Sequence, residues 1–172
     1  MVKFFRGWLQ WALEWTTIIL MVMLTVVVIV AVIYRVSGNS LSWYDEIAAI
    51  QLAWITYYGS ALAALKRGHI GFDSVLLAIP MPARMGAVVI AEILVIGFFA
   101  VMAWAGMEVL SILAGDTLVS LTWMPIQLTQ SVIPIGATLF IVAELLSLPA
   151  YWRQVAAGLS AEHSEIDEVE GA

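Results

Sequence analysis

Thr16 to Tyr34 is an unbroken run of uncharged, mostly apolar residues that ends only at Arg35. A hydrocarbon core about 30 Å thick is crossed by about 20 such residues in a helix, so this stretch alone commits the chain to a membrane. Its centre, Thr25-Val26-Val27-Val28-Ile29-Val30, is β-branched and would favour a strand in water. In hydrocarbon every backbone N–H and C=O needs an internal partner, which leaves helices and closed barrels, and a run of this length reads as helix. The whole 172-residue chain continues the pattern, with 63% hydrophobic residues, 12% charged residues and a mean hydropathy of +0.99. A soluble domain carries about a quarter charged residues. The apolar stretches suffice for about four spanning helices and leave no room for a soluble catalytic domain.

Lys3 and Arg6 precede the first run, but it is too long for the apolar region of a secretory signal and no small-x-small cleavage site follows. It is expected to be retained as a helix over about 12–36. Upstream, Phe4, Trp8, Trp11, Ala12 and Trp15 recur at three- and four-residue steps, with Arg6, Gln10 and Glu14 on another side. That pattern predicts a short interfacial helix in the headgroup region. Ser37-Gly38-Asn39-Ser40 is turn chemistry, and Asp45 and Glu46 stand where a second helix, about 43–65, begins. Lys66-Arg67-Gly68-His69 closes that helix with cations and a glycine. Phe72 to Pro82, with two prolines, is too short to span and is expected to lie along the interface. A third helix over about 82–113 is long enough to tilt and holds Glu92 and Glu108. After Gly115-Asp116, a fourth over about 125–148 holds Pro134 and Glu144, before Pro149 and a Tyr151-Trp152-Arg153 anchor. The fold class read from this is an all-α integral membrane protein. It has four transmembrane helices plus short interfacial helices in a single membrane domain over 1–159, and no internal sequence repeat is visible. Residues 160–172 are an acidic tail expected to be disordered.

The net charge of −6 is concentrated in that tail, where Glu162, Glu165, Asp167, Glu168 and Glu170 fall; the rest of the chain is nearly neutral. Scattered cations make no basic face for nucleic acid. Lys3, Arg6, Lys66, Arg67, Arg84 and Arg153 flank one end of the expected helices and only Arg35 the other, so both termini and the 66–84 loop are expected in the cytoplasm. Asp45, Glu46 and Asp116 then lie outside.

With no cysteine and only His69 and His163, the chain lacks the ligands of a thiolate metal site or a bis-histidine haem, and no cofactor is expected. Any chemistry rests on carboxylates inside helices, each of which is a relay or a buried pair. Glu14 and Glu144 are expected near the cytoplasmic ends, within reach of the interface, and Glu108 near the outer end. Glu92, roughly three turns in from Pro82, most needs a buried partner, with Lys66, Arg67 or Arg84 as candidates. Structural pairing is favoured over ion coupling because no acid is clearly at mid-membrane. Small residues from Gly59 to Ala64 offer a close-packing face, and the eight tryptophans fit interfacial belts better than a ligand cage.

Read in order, Arg35, Trp43-x-Asp45-Glu46-Ile47, Trp54, Gly59, Ala63, Arg67-Gly68-His69-Ile70 and Asp73 form a set. It resembles the small membrane subunit, DctQ type, of tripartite ATP-independent periplasmic (TRAP) transporters. Ser131-x-Ile133-Pro134-Ile135-Gly136-Ala137 is similar to the family's Pro-x-Gly segment. The resemblance implies a non-catalytic subunit, not an enzyme, in the bacterial inner membrane. It would act as a scaffold for a large transport subunit that typically uses a sodium gradient, bound there and not here. A periplasmic substrate-binding protein would deliver a small solute, often a carboxylate. On this reading Gln51, Trp54, Tyr57, Gly59, Ala63 and Glu92 are expected to meet the large subunit. Arg35, Asp45 and Glu46 are expected to dock the binding protein or to brace the first loop. Lys66, Arg67, His69 and Asp73 would bind lipid headgroups or anchor the cytoplasmic side. The alternative is a self-sufficient small ion-coupled transporter or exporter, for which Glu92 is the one plausible membrane-embedded acid. A redox or metal enzyme would need a ligand cluster, and Asp45 and Glu46, adjacent in sequence, point to different sides of a helix.

Overall fold

The computed structural model describes residues 2–66 and 80–157. They form helices α1 (Val2–Val36), α2 (Tyr44–Lys66), α3 (Met81–Ile112), α4 (Ile126–Gln130) and α5 (Val132–Ala157). Four spans are long and apolar enough to cross a membrane: α1, α2, α3 and the α4–α5 pair.

Local chemistry sets the helix ends. α1 stops in a Schellman turn: Gly38, at φ +84°, donates to Arg35 O and Asn39 donates to Tyr34 O, which satisfies carbonyls that the helix leaves open. α2 opens with Asp45 and Glu46 in its first turn and closes on Lys66, matching the helix dipole at both ends. α3 begins after Pro80 with proline in its first turn, where the missing N–H has no helical partner to lose.

Three boundaries differ from the sequence reading. The Trp-rich segment is no separate surface helix; it is the start of α1, whose 35 residues extend about 52 Å. No proline interrupts it, and Leu9 and Leu13 on this segment are buried in the core. The fourth span is broken at Ser131. Pro134, in the first turn of α5, has no N–H to give Gln130 O, so the helical ladder cannot run through. Beyond it, α5 continues past Leu148, through an exposed Pro149, to Ala157. Phe72–Ile79 and the acidic tail lie outside the described residues.

The helices pack as a row in the order α1, α2, α5, α3, with α1 and α3 at opposite edges. Its centre is the parallel α2–α5 seam. There Gly136 permits the approach: a Cβ on it would sit 2.6 Å from Tyr57 Cβ. Leu9, Leu13, Ala61, Ala64, Leu65, Phe140 and Ala143 form one core cluster spanning α1, α2 and α5. α3 closes against α5 by stacking Phe99 on Phe140, centroids 3.7 Å apart, and by seating Gly106 on Pro134. The outward surfaces of α1 and α3 carry most of the exposed large apolar side chains.

Candidate functional site

At the end of the row bearing Arg6, Lys66 and Arg84, two arginines hold neighbouring helix ends. Arg6 Nη2 donates to Leu65 O at 3.2 Å and Arg84 Nη1 to Val155 O at 3.4 Å. Each places a cation on carbonyls near the negative end of a helix dipole. Lys66, considered as a partner for Glu92, instead pairs with Glu14 at 2.6 Å, and Gln10 Nε2 donates to the same carboxylate at 3.1 Å. Arg67, His69 and Asp73 lie outside the described residues.

The polar groups within the spans are mostly turned towards the chain's own helices. Gln51 is 7% exposed and Glu92 9%. Trp54 Nε1 donates to Thr129 O at 3.0 Å, so the indole satisfies a carbonyl beside the break at Ser131, as backbone in hydrocarbon requires. Tyr57 OH donates to Met102 Sδ at 3.7 Å and the ring's root packs on Gly136. Gly59 and Ala63 are part-exposed like Trp54 and Tyr57, but a Cβ on Gly59 would meet nothing within 4 Å. The structure thus gathers Gln51, Trp54, Tyr57 and Glu92 into the packed seams and leaves Gly59 and Ala63 at a surface.

Glu144 departs from its expected place. It is 5% exposed, on the same buried face of α5 as Phe140 and Ser147, and α5 runs more than three turns beyond it to Ala157. Ser147, buried one turn on, and Thr129 were not singled out from sequence. Pro134 signals the break, since it frees Gln130 O one turn back, but nothing in the sequence marks Thr129 itself.

At the opposite end, Arg35 is exposed on the last turn of α1 and Asp45 is exposed beside Tyr44. Glu46 is part-buried, and its Oε2 accepts from Ser120 N at 3.0 Å, while Ser120 Oγ donates to Ser42 O at 3.1 Å. Ser120 lies in the 113–125 connection, a short hairpin closed by a Thr117–Pro125 bridge, by Leu118 N donating to Met124 O and by Ile126 N donating to Asp116 O. At its tip Val119 is 88% exposed and Trp123 76%. Between α3 and the start of α5 runs an open groove of about 640 Å³, lined by Trp104, Met107, Leu110, Pro134, Ile135 and Thr138 among others. An apolar groove of this kind suits an acyl chain or an apolar helix face and offers no reactive group.

Residues 24–154 match the family model described as the DctQ component of tripartite ATP-independent periplasmic transporters. A comparison with curated proteins found no match. The matched range takes in the last third or so of α1, all of α2 and α3 and nearly all of the broken fourth span.

Proposed function

From the premise that the chain belongs to the DctQ family of TRAP transporters, as the small inner-membrane component, we propose that it is a fixed scaffold for the large transport subunit. It carries no catalytic residue in this reading. The observation that carries it is the row itself. A layer one helix thick, with α1 and α3 at opposite edges, encloses no lumen among the described residues through which a solute could pass. Trp54 and Tyr57 are spent on holding neighbouring helices together rather than on lining a path, and Gln51 is buried. Broad apolar surfaces remain on both edges, suited to lipid and to a larger membrane partner.

The large subunit is placed, in this reading, on the face of α2 that carries Leu52, Thr56, Gly59 and Ala63, which recur at steps of four, three and four. Open space at Gly59 lets a partner helix approach closely. Gln51, Trp54 and Tyr57 shape this surface from behind, and Glu92 lies on α3, across α5 from it. The Arg6, Lys66 and Arg84 end faces the cytoplasm by its excess of cations, with Lys66, Arg67, His69 and Asp73 as its anchors. The opposite end, with Arg35, Asp45 and Glu46, faces the periplasm and helps dock a binding protein that delivers small, carboxylate-containing solutes. The sodium gradient acts on the large subunit.

Co-expression of the tagged chain with its large membrane partner, purification in mild detergent and uptake assays in liposomes test this. A one-to-one complex that transports only with the binding protein present is expected. A chain that purifies alone and moves a solute by itself, with loss of activity in Glu92→Gln, would establish a self-sufficient transporter instead.

A further inference from the structure

Two adjacent acids open α2, and the structure treats them differently. Asp45 is exposed, whereas Glu46 turns to the hairpin between α3 and the fourth span. That bond joins residues 74 positions apart, and Ser120 Oγ adds a second tie, to Ser42 O just ahead of α2. The connection has other bonds along its length, but these are internal to it: Thr117 with Pro125, Leu118 with Met124, Asp116 with Ile126. They fix the hairpin's shape. The two bonds through Ser120 fix its position against α2. Without them the tip, with Val119 and Trp123 projecting, would keep its turn but gain freedom to swing.

We propose that Glu46 is a positioning residue for docking: it holds the 113–125 hairpin against the start of α2, so that the tip meets the periplasmic binding protein already in place. The inference rests on the docking role given above and changes how Glu46 serves it. The carboxylate acts through Ser120 and does not touch the partner. Pre-ordering a loop lowers the entropic cost of association, which is the advantage the latch confers. The part Glu46 plays is acceptance of a hydrogen bond, which an amide oxygen can also supply, and this separates the latch from a direct charge contact.

The chain contains no cysteine, so paired spin labels at Asn39→Cys and Val119→Cys report where the hairpin stands. The full complex in lipid nanodiscs is used, with binding-protein titrations on the unlabelled form. Glu46→Ala is expected to broaden the label distances and to raise the half-saturating binding-protein concentration about three- to tenfold, the range given by ordering about one side chain. Glu46→Gln should leave both close to wild type. Ser120→Ala, which loses only the bond to Ser42, should fall between them. The melting midpoint of the complex should hold in all three.

Equal loss in Glu46→Gln and Glu46→Ala would overturn the latch in favour of direct charge contact. Unchanged distances in Glu46→Ala would overturn it too, as would broadened distances with unchanged half-saturation. Trp123→Ala and Arg35→Glu tell the two failures apart. If either shifts half-saturation while Glu46→Ala does not, only the latch is wrong; if none does, docking at this end is wrong.

Discussion

Arg6 and Glu14 on α1 stand eight residues apart, and so do Arg84 and Glu92 on α3. Both arginines do the same thing, reaching across to a carbonyl near the end of the adjoining antiparallel helix. The glutamates part company. Glu14 is about a third exposed and meets Lys66 at the rim, whereas Glu92 is nearly buried. The difference comes from the stripe each occupies. On α1 the core-facing residues are Leu9 and Leu13, and Glu14 falls one position to the side. On α3, Val88 and Glu92 lie on one face a turn apart and point into the seam with α5. One spacing yields a rim ion pair on one edge of the row and an interior carboxylate on the other. The consequence of a charge is therefore set by which helix face packs, not by its distance from the helix end.

Reversing the two charges is the hardest test of that contrast and carries the largest expected effect. Glu92→Lys puts a cation into a site organised around a carboxylate, and such changes cost about 3–5 kcal/mol. Loss of the folded subunit from detergent extracts, or a large drop in its melting midpoint, is expected. Glu14→Lys sets two cations side by side at the rim, where both side chains can swing into water, and should express and melt close to wild type. Equal damage from the two reversals would remove the distinction.

A second pair of substitutions sharpens the contrast between packed and open surfaces along α2. At Gly136 any added Cβ collides with Tyr57, so Gly136→Val should destabilise the isolated subunit by about 1–3 kcal/mol through overpacking. Gly59→Val enters open space and should leave the isolated subunit's melting unchanged. The same Gly59→Val is expected to weaken co-purification with the large subunit, if that face is where the partner approaches. A Gly59→Val complex as stable as wild type would move the interface off this stripe.

Much of this architecture was legible beforehand, and the exceptions have identifiable causes. The start and stop of α2 and the start of α3 follow from Asp45, Glu46, Lys66 and the prolines at the head of α3, because these act within a turn of where they sit. The order of helices in the row was not legible. It turns on fits such as Tyr57 on Gly136 and Phe99 on Phe140, whose partners lie far apart in the chain. Glu144 was set too near its helix end for a local reason. Pro149 reads as a stop, yet it is exposed on α5 and the helix runs on. The packed positions of Gln51, Trp54 and Tyr57 were hidden for another reason: an apolar helix has no polar side to mark its packed face, and both lipid and protein neighbours accept the same residues.

The smallest expected effect is at the rim pair itself. Lys66 and Glu14 are a third to a half exposed, and ion pairs in such settings contribute little because water solvates either partner alone and salt screens the attraction. Glu14→Gln keeps an acceptor for Gln10 Nε2 and removes only the charge. Its melting midpoint should match wild type at ordinary ionic strength and fall slightly below it only at low salt. Lys66→Ala should behave alike, since Arg6 still caps Leu65 O and Leu9 and Leu13 still fill the core. A drop approaching that of Glu92→Lys would mean that the α1–α2 corner depends on this ion pair rather than on its apolar contacts. The two edges of the row would then be alike after all.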